Sequence, residues 1–361
     1  MNKSKTLFIN KRIFCLILII ILETFFVKTV QFKILPEKYF YDSTRILALS
    51  NGLTDITDKS FSFAGNFFRF INIFGFTTLA QWSYFLSFIS VILITFILAK
   101  NEKISLKNFI FVIASVGLLN IYVFNMSKDI IQFLFFYLIF IALSNEKISN
   151  QKKLFLSCLL LLVEAIVFRV YYLIMAMLMV TIYFIYEKKI KNKKINKKTV
   201  KKILLIALIL FFMEIFAVQL VSTNNYNSII NARYTTNINR ESSPDSVTII
   251  NDLLGRNTNF IKFILNYLIN FVRMLFPIEL ITKGVKYIPF IFYQFFITFT
   301  LFKTSTKLND KNIMWLITFV SFIMISVIFE PDFGSFIRHE SALFLIMFEM
   351  NKIIDEQREE T

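Results

Sequence analysis

Long uninterrupted apolar runs dominate the chain, and most of them span roughly 16 to 21 residues. A helix needs about 20 apolar residues to cross the hydrocarbon core of a bilayer. Because the runs are continuous and do not alternate with polar residues, they predict helices and exclude the strands of a β-barrel. The composition agrees, with 56% hydrophobic residues among 361. We therefore predict an all-α, polytopic transmembrane helix bundle that forms a single integral membrane domain over residues 1–361.

The charge pattern orients this bundle. The net charge of +16 is carried mainly by lysines in short segments between the apolar runs. Such clusters mark the cytoplasmic side of membrane proteins, so they argue against nucleic acid as the partner. Both cysteines, Cys15 and Cys158, lie inside apolar runs. The sequence therefore predicts neither a disulfide framework nor a metal site.

One apolar stretch, 154–186, is too long for a single span, because 33 helical residues reach about 50 Å. Both of its flanks are rich in lysine, so it must begin and end on the same side of the membrane. We predict a turn at residues 168–172, which places Arg169 near the outer face. Alternation of sides along the chain then predicts an outer loop at 32–78, a basic cytoplasmic loop at 187–202, an outer loop at 222–259 and an outer polar motif at 330–340.

The segment 260–276 leaves the number of crossings open between nine and eleven, with about ten preferred. Four polar residues recur there at helical spacing and fall on one stripe: Lys262, Asn266, Asn270 and Arg273. The segment is either an outer interfacial or re-entrant helix, or a span whose polar face lines a cavity. The side on which the later lysines fall favours the outer helix.

The outer polar motif concentrates the chemistry of the chain. Residues 330–340 contain three carboxylates, an arginine and the only histidine, between the apolar runs 313–329 and 341–354. A solvated turn is the plain alternative, but such a mixture at the mouth of a bundle favours a polar substrate. Histidine is the usual general base at neutral pH, so His339 is the first candidate, with Glu340 or Asp332 as substitutes.

Arginines are distributed differently from lysines. On the predicted topology the inner side carries 22 Lys and two Arg, whereas the outer side carries eight of each. A guanidinium group binds phosphate or carboxylate through two parallel hydrogen bonds, which a lysine cannot do. Alternatively, outer arginines reach lipid headgroups or pair with nearby acids, as Arg169 could with Glu164. The candidates for binding an anionic substrate are Arg169, Arg273 and Arg338, followed by Arg233 and Arg240.

The chain resembles the Wzy-like polymerases of bacterial surface polysaccharides, which include the O-antigen, capsule and exopolysaccharide polymerases. The resemblance lies in the size, in the number of predicted spans and in four segments. The segments are Tyr39-Phe40-Tyr41-Asp42-Ser43-Thr44-Arg45-Ile46, Asn125-Met126-Ser127-Lys128-Asp129, Phe168-Arg169-Val170-Tyr171-Tyr172 and Asp332-Phe333-Gly334-Ser335-Phe336-Ile337-Arg338-His339-Glu340. The long outer loops often seen in the second half of such polymerases are reduced here to one of about 38 residues.

The resemblance implies an enzyme of the bacterial plasma membrane that joins oligosaccharide repeat units carried on undecaprenyl diphosphate at the outer face. Arginines would bind the diphosphate, a base would take the proton of the acceptor hydroxyl, and no cofactor or metal is required. Tyr171, Tyr172 and Tyr41, with Asp42, are the candidates for sugar binding. The expected partners are the lipid-linked oligosaccharide, the membrane lipid, and a chain-length regulator and a flippase of the same pathway.

Two other functions stay open. The first is a membrane glycosyltransferase that uses a polyprenyl-phosphate sugar, with Asp42 as the base. The second is the flippase that transports the same lipid-linked unit, although such transporters usually carry an internal repeat that is not evident here.

Overall fold

The computed structural model describes residues 10–54, 58–190, 197–241, 247–306 and 310–359, and in these ranges the chain is mainly α-helical. Within them there is no β-strand, only an isolated antiparallel bridge between Ile249 and Asp332. The chain divides into two compact units, with the boundary between Leu134 and Phe135.

In the first unit, polar side chains cap the starts of several helices. Asp58 accepts hydrogen bonds from the backbone of Ser60 and Phe61, and Thr78 and Gln81 form a capping box. These caps satisfy amide groups that the first helical turn leaves without partners. The helices are α1 (Lys11–Ile34), α2 (Tyr41–Ser50), α3 (Lys59–Ile71), α4 (Leu79–Leu98), α5 (Leu106–Tyr122) and α6 (Lys128–Ser144), the last of which contains the boundary.

A buried lysine braces the first unit. The side chain of Lys28 in α1 donates to the carbonyl oxygens of Asn120 and Phe124 and to the amide oxygen of Asn125, the last at 3.0 Å. The carbonyl groups at the end of α5 have no partner within their own helix, and the ammonium group supplies one. Lys28 is 1% exposed. Its role here is structural, because its hydrogen bonds tie α1 to the end of α5.

The second unit carries the remaining helices and the outer polar motif. Its helices are α7 (Asn150–Val167), α8 (Tyr172–Ile190), α9 (Lys197–Val221), α10 (Thr223–Ile230), α11 (Ala232–Glu241), α12 (Phe260–Leu275), α13 (Ile288–Thr306), α14 (Ile313–Phe329), α15 (Phe333–Ser341) and α16 (Phe344–Glu359). Residues 191–196 of the basic loop and 242–246 of the outer loop lie outside the described residues.

The break within the long apolar stretch is confirmed. Helix α7 ends at Val167 and α8 begins at Tyr172. The two helices form an antiparallel hairpin, because Gln151 hydrogen-bonds Glu187 at one end and the Cys158 thiol lies 3.7 Å from the carbonyl oxygen of Ala176 further along. The two lysine-rich flanks therefore lie at the same end of the hairpin, as the charge pattern predicts.

Several helices are apolar and long enough to cross a bilayer, which fits a multi-pass membrane protein. Among the described residues, four meet both criteria: Lys11–Ile34, Leu79–Leu98, Lys202–Val221 and Val285–Thr306. Two shorter apolar helices are Leu106–Tyr122 and Ile313–Phe329.

The predicted outer loop at 222–259 is partly helical, since it contains α10 and α11. The polar stripe of α12 binds the end of this loop. Asn266 accepts from the Leu254 amide and donates to the Gly255 carbonyl, and Asn270 donates to Asp252 at 2.6 Å. Arg273 donates to the Asn251 carbonyl at 2.7 Å. Three of the four stripe residues therefore serve contacts inside the unit, a use that the sequence pattern does not distinguish from a cavity lining.

Candidate functional site

The only histidine lies at the centre of a buried polar cluster in the second unit. Nδ1 of His339 is 2.6 Å from Oε1 of Glu330, and Nε2 is 2.8 Å from Nη2 of Arg169. The three residues come from different elements: His339 from α15, Glu330 from the end of α14, and Arg169 from the turn between α7 and α8. Pro331 favours the extended conformation of Glu330, with φ −79° and ψ 118°, and so ends α14.

The two partners fix which ring nitrogen of His339 carries the proton. A guanidinium group has no acceptor, so Arg169 donates and Nε2 accepts. The proton then lies on Nδ1, which donates to the Glu330 carboxylate. This is the arrangement in which a carboxylate orients an imidazole and leaves the opposite nitrogen basic.

Glu330 is an anion at neutral pH although it is 4% exposed. Burial alone raises the pKa of a carboxyl group, but interactions with His339, Arg169 and Ser335 outweigh it and lower the pKa of Glu330 to about 2. Its negative charge stabilises positive charge on the imidazole if the ring takes up a second proton.

Two of the predicted aromatic residues, Tyr171 and Tyr172, lie beside Arg169. The Tyr171 ring stacks on Phe329, with 4.7 Å between the ring centres and 15° between the planes. Its centre also lies 4.9 Å from that of Tyr172, which is 1% exposed and packs on Phe136. Burial raises the pKa of Tyr171, so its phenol remains protonated. The structure therefore places Tyr171 and Tyr172 beside the cluster and tightly packed.

Arg233 brings a second guanidinium group close to the cluster. It lies on α11, is 4% exposed, and donates through Nη2 to the carbonyl oxygen of Val327 near the end of α14. Its Nη1 is buried and has no hydrogen-bond partner among the described residues. Burial lowers the pKa of Arg233 to about 10, with Asp252 and Glu330 opposing the shift, so it stays a cation. A buried donor of this kind can receive an anionic oxygen.

Asp332 and Arg240 shape the site without reaching its centre. Oδ1 of Asp332 accepts from the Ser335 amide at 2.7 Å, which caps the start of α15. Oδ2 accepts from Arg240 at 2.7 Å. Around this pair, the backbone of Ile250 donates to the Pro331 carbonyl. Asp332 and its neighbour Pro331 thus join α11 and the segment around Ile250 to the helix that carries His339.

The other candidates lie in different surroundings. Arg273 forms a two-bond ion pair with Glu279, both bonds being 2.8 Å. Arg338 lies in the last turn of α15 and is half-buried. Tyr41 and Asp42 lie in the first turn of α2, in the first unit, and both are exposed.

Glu340 is buried beside α13. Its carboxyl group is 3.4 Å from the amide nitrogen of Gln294, and burial raises the pKa of Glu340 to about 8. It is therefore mainly an uncharged acid at neutral pH, in contrast to Glu330.

Of the residues predicted from the sequence, the structure brings together Arg169 and His339, with Tyr171 beside them and Arg233 close by. Glu330, the partner of His339, is not among the residues predicted from the sequence. The available signal was its position at the end of an apolar run, where an acid is costly to bury unless it has a partner. Among the described residues, no three His, Cys, Asp or Glu side chains lie close enough together to hold a metal ion.

Comparisons of the chain with protein-family models, with curated proteins and with solved structures found no match.

Proposed function

We propose that the chain is a polymerase of the bacterial plasma membrane that joins oligosaccharide repeat units carried on undecaprenyl diphosphate. In this proposal the helices make about ten crossings, and the His339 cluster lies at the outer face. The observation that carries the proposal is the contact of a basic imidazole nitrogen with a guanidinium group at 2.8 Å. A proton acceptor and a phosphate binder thus stand at one point, which is what transfer from a glycosyl diphosphate needs.

The reaction transfers a sugar between two oxygens. The acceptor hydroxyl oxygen attacks the anomeric carbon of the donor, and the bond from that carbon to the diphosphate oxygen breaks. The electron pair of the broken bond leaves with the diphosphate, and the hydroxyl proton passes to Nε2 of His339. Glu330 stabilises the imidazolium that results, because its carboxylate remains bound to Nδ1.

Arg169 has two successive partners in this scheme. In the structure it donates to Nε2, which must be released before a hydroxyl can use it. A diphosphate offers the guanidinium a stronger, charged acceptor and draws it from the imidazole. Arg233, with its buried Nη1, can contribute a second donor to the charge that develops on the departing diphosphate.

The test is deletion of the gene in its bacterium, followed by sizing of the surface glycan on a gel. We expect single repeat units at the cell surface, long polymer with the wild-type plasmid, and single units again with His339→Gln or Arg169→Lys. Arg45→Lys is the matched control, since Arg45 stacks over Phe61 in the first unit. Each variant is checked for a normal amount of protein in the membrane.

Three outcomes would contradict the proposal. Normal polymer in the deletion strain or in His339→Gln would exclude this function. Repeat units trapped at the inner face would indicate a flippase. Loss of activity in Asp42→Asn with His339→Ala unaffected would indicate the glycosyltransferase whose base lies in the first unit.

A further inference from the structure

A polar groove lies next to α10 and α11 in the second unit. It has a volume of about 450 Å³ and is lined by asparagine, serine and threonine side chains with one arginine, Arg256. This volume falls within the range of about 300–1,000 Å³ that is usual for small-molecule sites. None of its lining residues belongs to the His339 cluster.

The groove has an ordered floor and an accessible rim. Asn231 and Asn257 are buried at the floor, and Asn257 is fixed by donating to the Ile230 carbonyl at 2.6 Å and accepting from Asn266 at 2.8 Å. Oδ1 of Asn231 is buried and accepts no hydrogen bond within the described residues. Asn227, Ser228 and Thr235 are exposed at the rim.

The chemistry of the lining selects the class of ligand. Carboxamides and hydroxyls both donate and accept, and a ligand with many hydroxyl groups satisfies them best. A phosphate-rich ligand would instead call for several cations, but the lining contains one, and it contains no acid. Tyr234 lies beside Arg256, whose guanidinium carbon is 6.0 Å from the ring centre. Amides, hydroxyls and a nearby ring match a saccharide.

The position of the groove connects it to the candidate site. Helix α11 carries Thr235 on the groove and Arg233 two residues earlier, on the side that donates to the end of α14. Residues two apart on a helix face nearly opposite directions. The groove and the His339 cluster therefore lie on two sides of the same short helix.

We infer that this groove binds the saccharide of the substrate, at sugar residues distant from the bond that is transferred. This inference rests on the proposed function for the identity of the saccharide, whereas saccharide binding itself is measured separately. Such a subsite would retain a growing glycan between successive transfers, because its hydrogen bonds do not involve the reacting groups.

The experiment measures binding to the purified full chain in nanodiscs. The saccharide probe is a set of oligosaccharides released by partial acid hydrolysis from the surface polysaccharide of the bacterium that carries the gene. The diphosphate probe is farnesyl diphosphate. Ser228→Trp fills the groove from an exposed position. Asn225→Trp is the matched control, because Asn225 is exposed on the same helix and does not line the groove.

We expect Ser228→Trp to weaken saccharide binding by about tenfold or more. Ser228→Trp should leave farnesyl diphosphate binding unchanged. Asn225→Trp should change neither saccharide binding nor farnesyl diphosphate binding. Arg169→Lys should weaken farnesyl diphosphate binding and leave saccharide binding unchanged. The inference is overturned if the wild-type chain binds no saccharide, or if the two tryptophan variants weaken saccharide binding equally. It is also overturned if Ser228→Trp weakens only the binding of farnesyl diphosphate. If saccharide binding depends on Ser228 but the deletion strain makes normal polymer, saccharide binding by the groove stands and the proposed function fails.

Discussion

Replacing Glu330 or Glu340 by glutamine should change stability in opposite ways. Both glutamates are buried in the second unit, 4% and 1% exposed, and each substitution keeps the shape of the side chain while removing its charge. Glu330 accepts a 2.6 Å hydrogen bond from His339, whereas Glu340 faces the amide of Gln294. Comparing the two variants therefore distinguishes a buried carboxylate whose charge is balanced by its neighbours from a buried carboxyl group that has no such neighbours among the described residues.

The magnitude for Glu330 follows from its pKa. Lowering the pKa from 4.5 to about 2 corresponds to about 3 kcal/mol of stability at neutral pH. Because the pKa is lowered in the folded state, this contribution is complete above about pH 5 and is lost as the pH falls toward 2. Glu330→Gln should therefore be about 3 kcal/mol less stable than the wild type at pH 7, with the difference shrinking in acid.

For Glu340 the expected change of stability with pH has the opposite sign. Its pKa is raised to about 8 by burial, so the folded chain holds a proton that the unfolded chain releases above pH 4.5. The wild type should therefore lose stability between about pH 5 and 8, by up to roughly 1.4 kcal/mol per pH unit. Glu340→Gln cannot ionise and should abolish that decline.

Unfolding of the purified protein in mixed micelles, followed at several pH values, measures both effects. Equal stability of Glu330→Gln and the wild type at pH 7 would contradict the stabilising role of the Glu330 charge. The opposite roles of the two glutamates would also be contradicted if the stability differences of Glu330→Gln and Glu340→Gln from the wild type changed with pH in the same direction.

Three further predictions concern other parts of the chain. Arg338→Lys should abolish surface polymer while the protein remains in the membrane, and normal polymer length would contradict the assignment of Arg338. Asn266→Ala removes the hydrogen bonds that hold residues 254–257 and should lower the free energy of unfolding by about 2–3 kcal/mol, which denaturant titration would disprove if stability were unchanged. Lys28→Met removes the donor that Lys28 supplies to carbonyl oxygens at the end of α5, and it should lower the free energy of unfolding by about 1–3 kcal/mol. A variant of equal thermal stability would show that the ammonium is dispensable.

The helices could be predicted from the sequence because apolar runs and lysine clusters are local signals. The turn at 168–172 follows from length and charge alone, and the structure has it between Val167 and Tyr172. The stripe on α12 could also be predicted as a stripe. Its partners could not, because Asn266 and Asn270 bind a loop whose path depends on backbone geometry and not on periodicity.

The site was predicted less completely because its contacts are distant along the chain. Arg169 and His339 are 170 residues apart, and no local pattern joins them. Glu340 and Asp332 were predicted only as substitutes for His339 as the base, and Glu330 was not predicted as its partner. In the structure Asp332 caps α15 and Glu330 binds the imidazole. Glu330 lies nine residues before His339, and its carboxylate reaches the imidazole because the chain turns at Pro331.

The ion pair between Arg240 and Asp332 has a consequence for biosynthesis. Its two residues are separated by 92 positions, so the ribosome completes α11 long before the acid that fastens it exists. Arg233 is likewise synthesised before Val327, whose carbonyl oxygen accepts its hydrogen bond. During translation these cations must remain hydrated until their partners are made, and α11 can dock only after α14 and Asp332 have been synthesised. Nascent chains interrupted before that point would present an undocked segment to quality-control proteases.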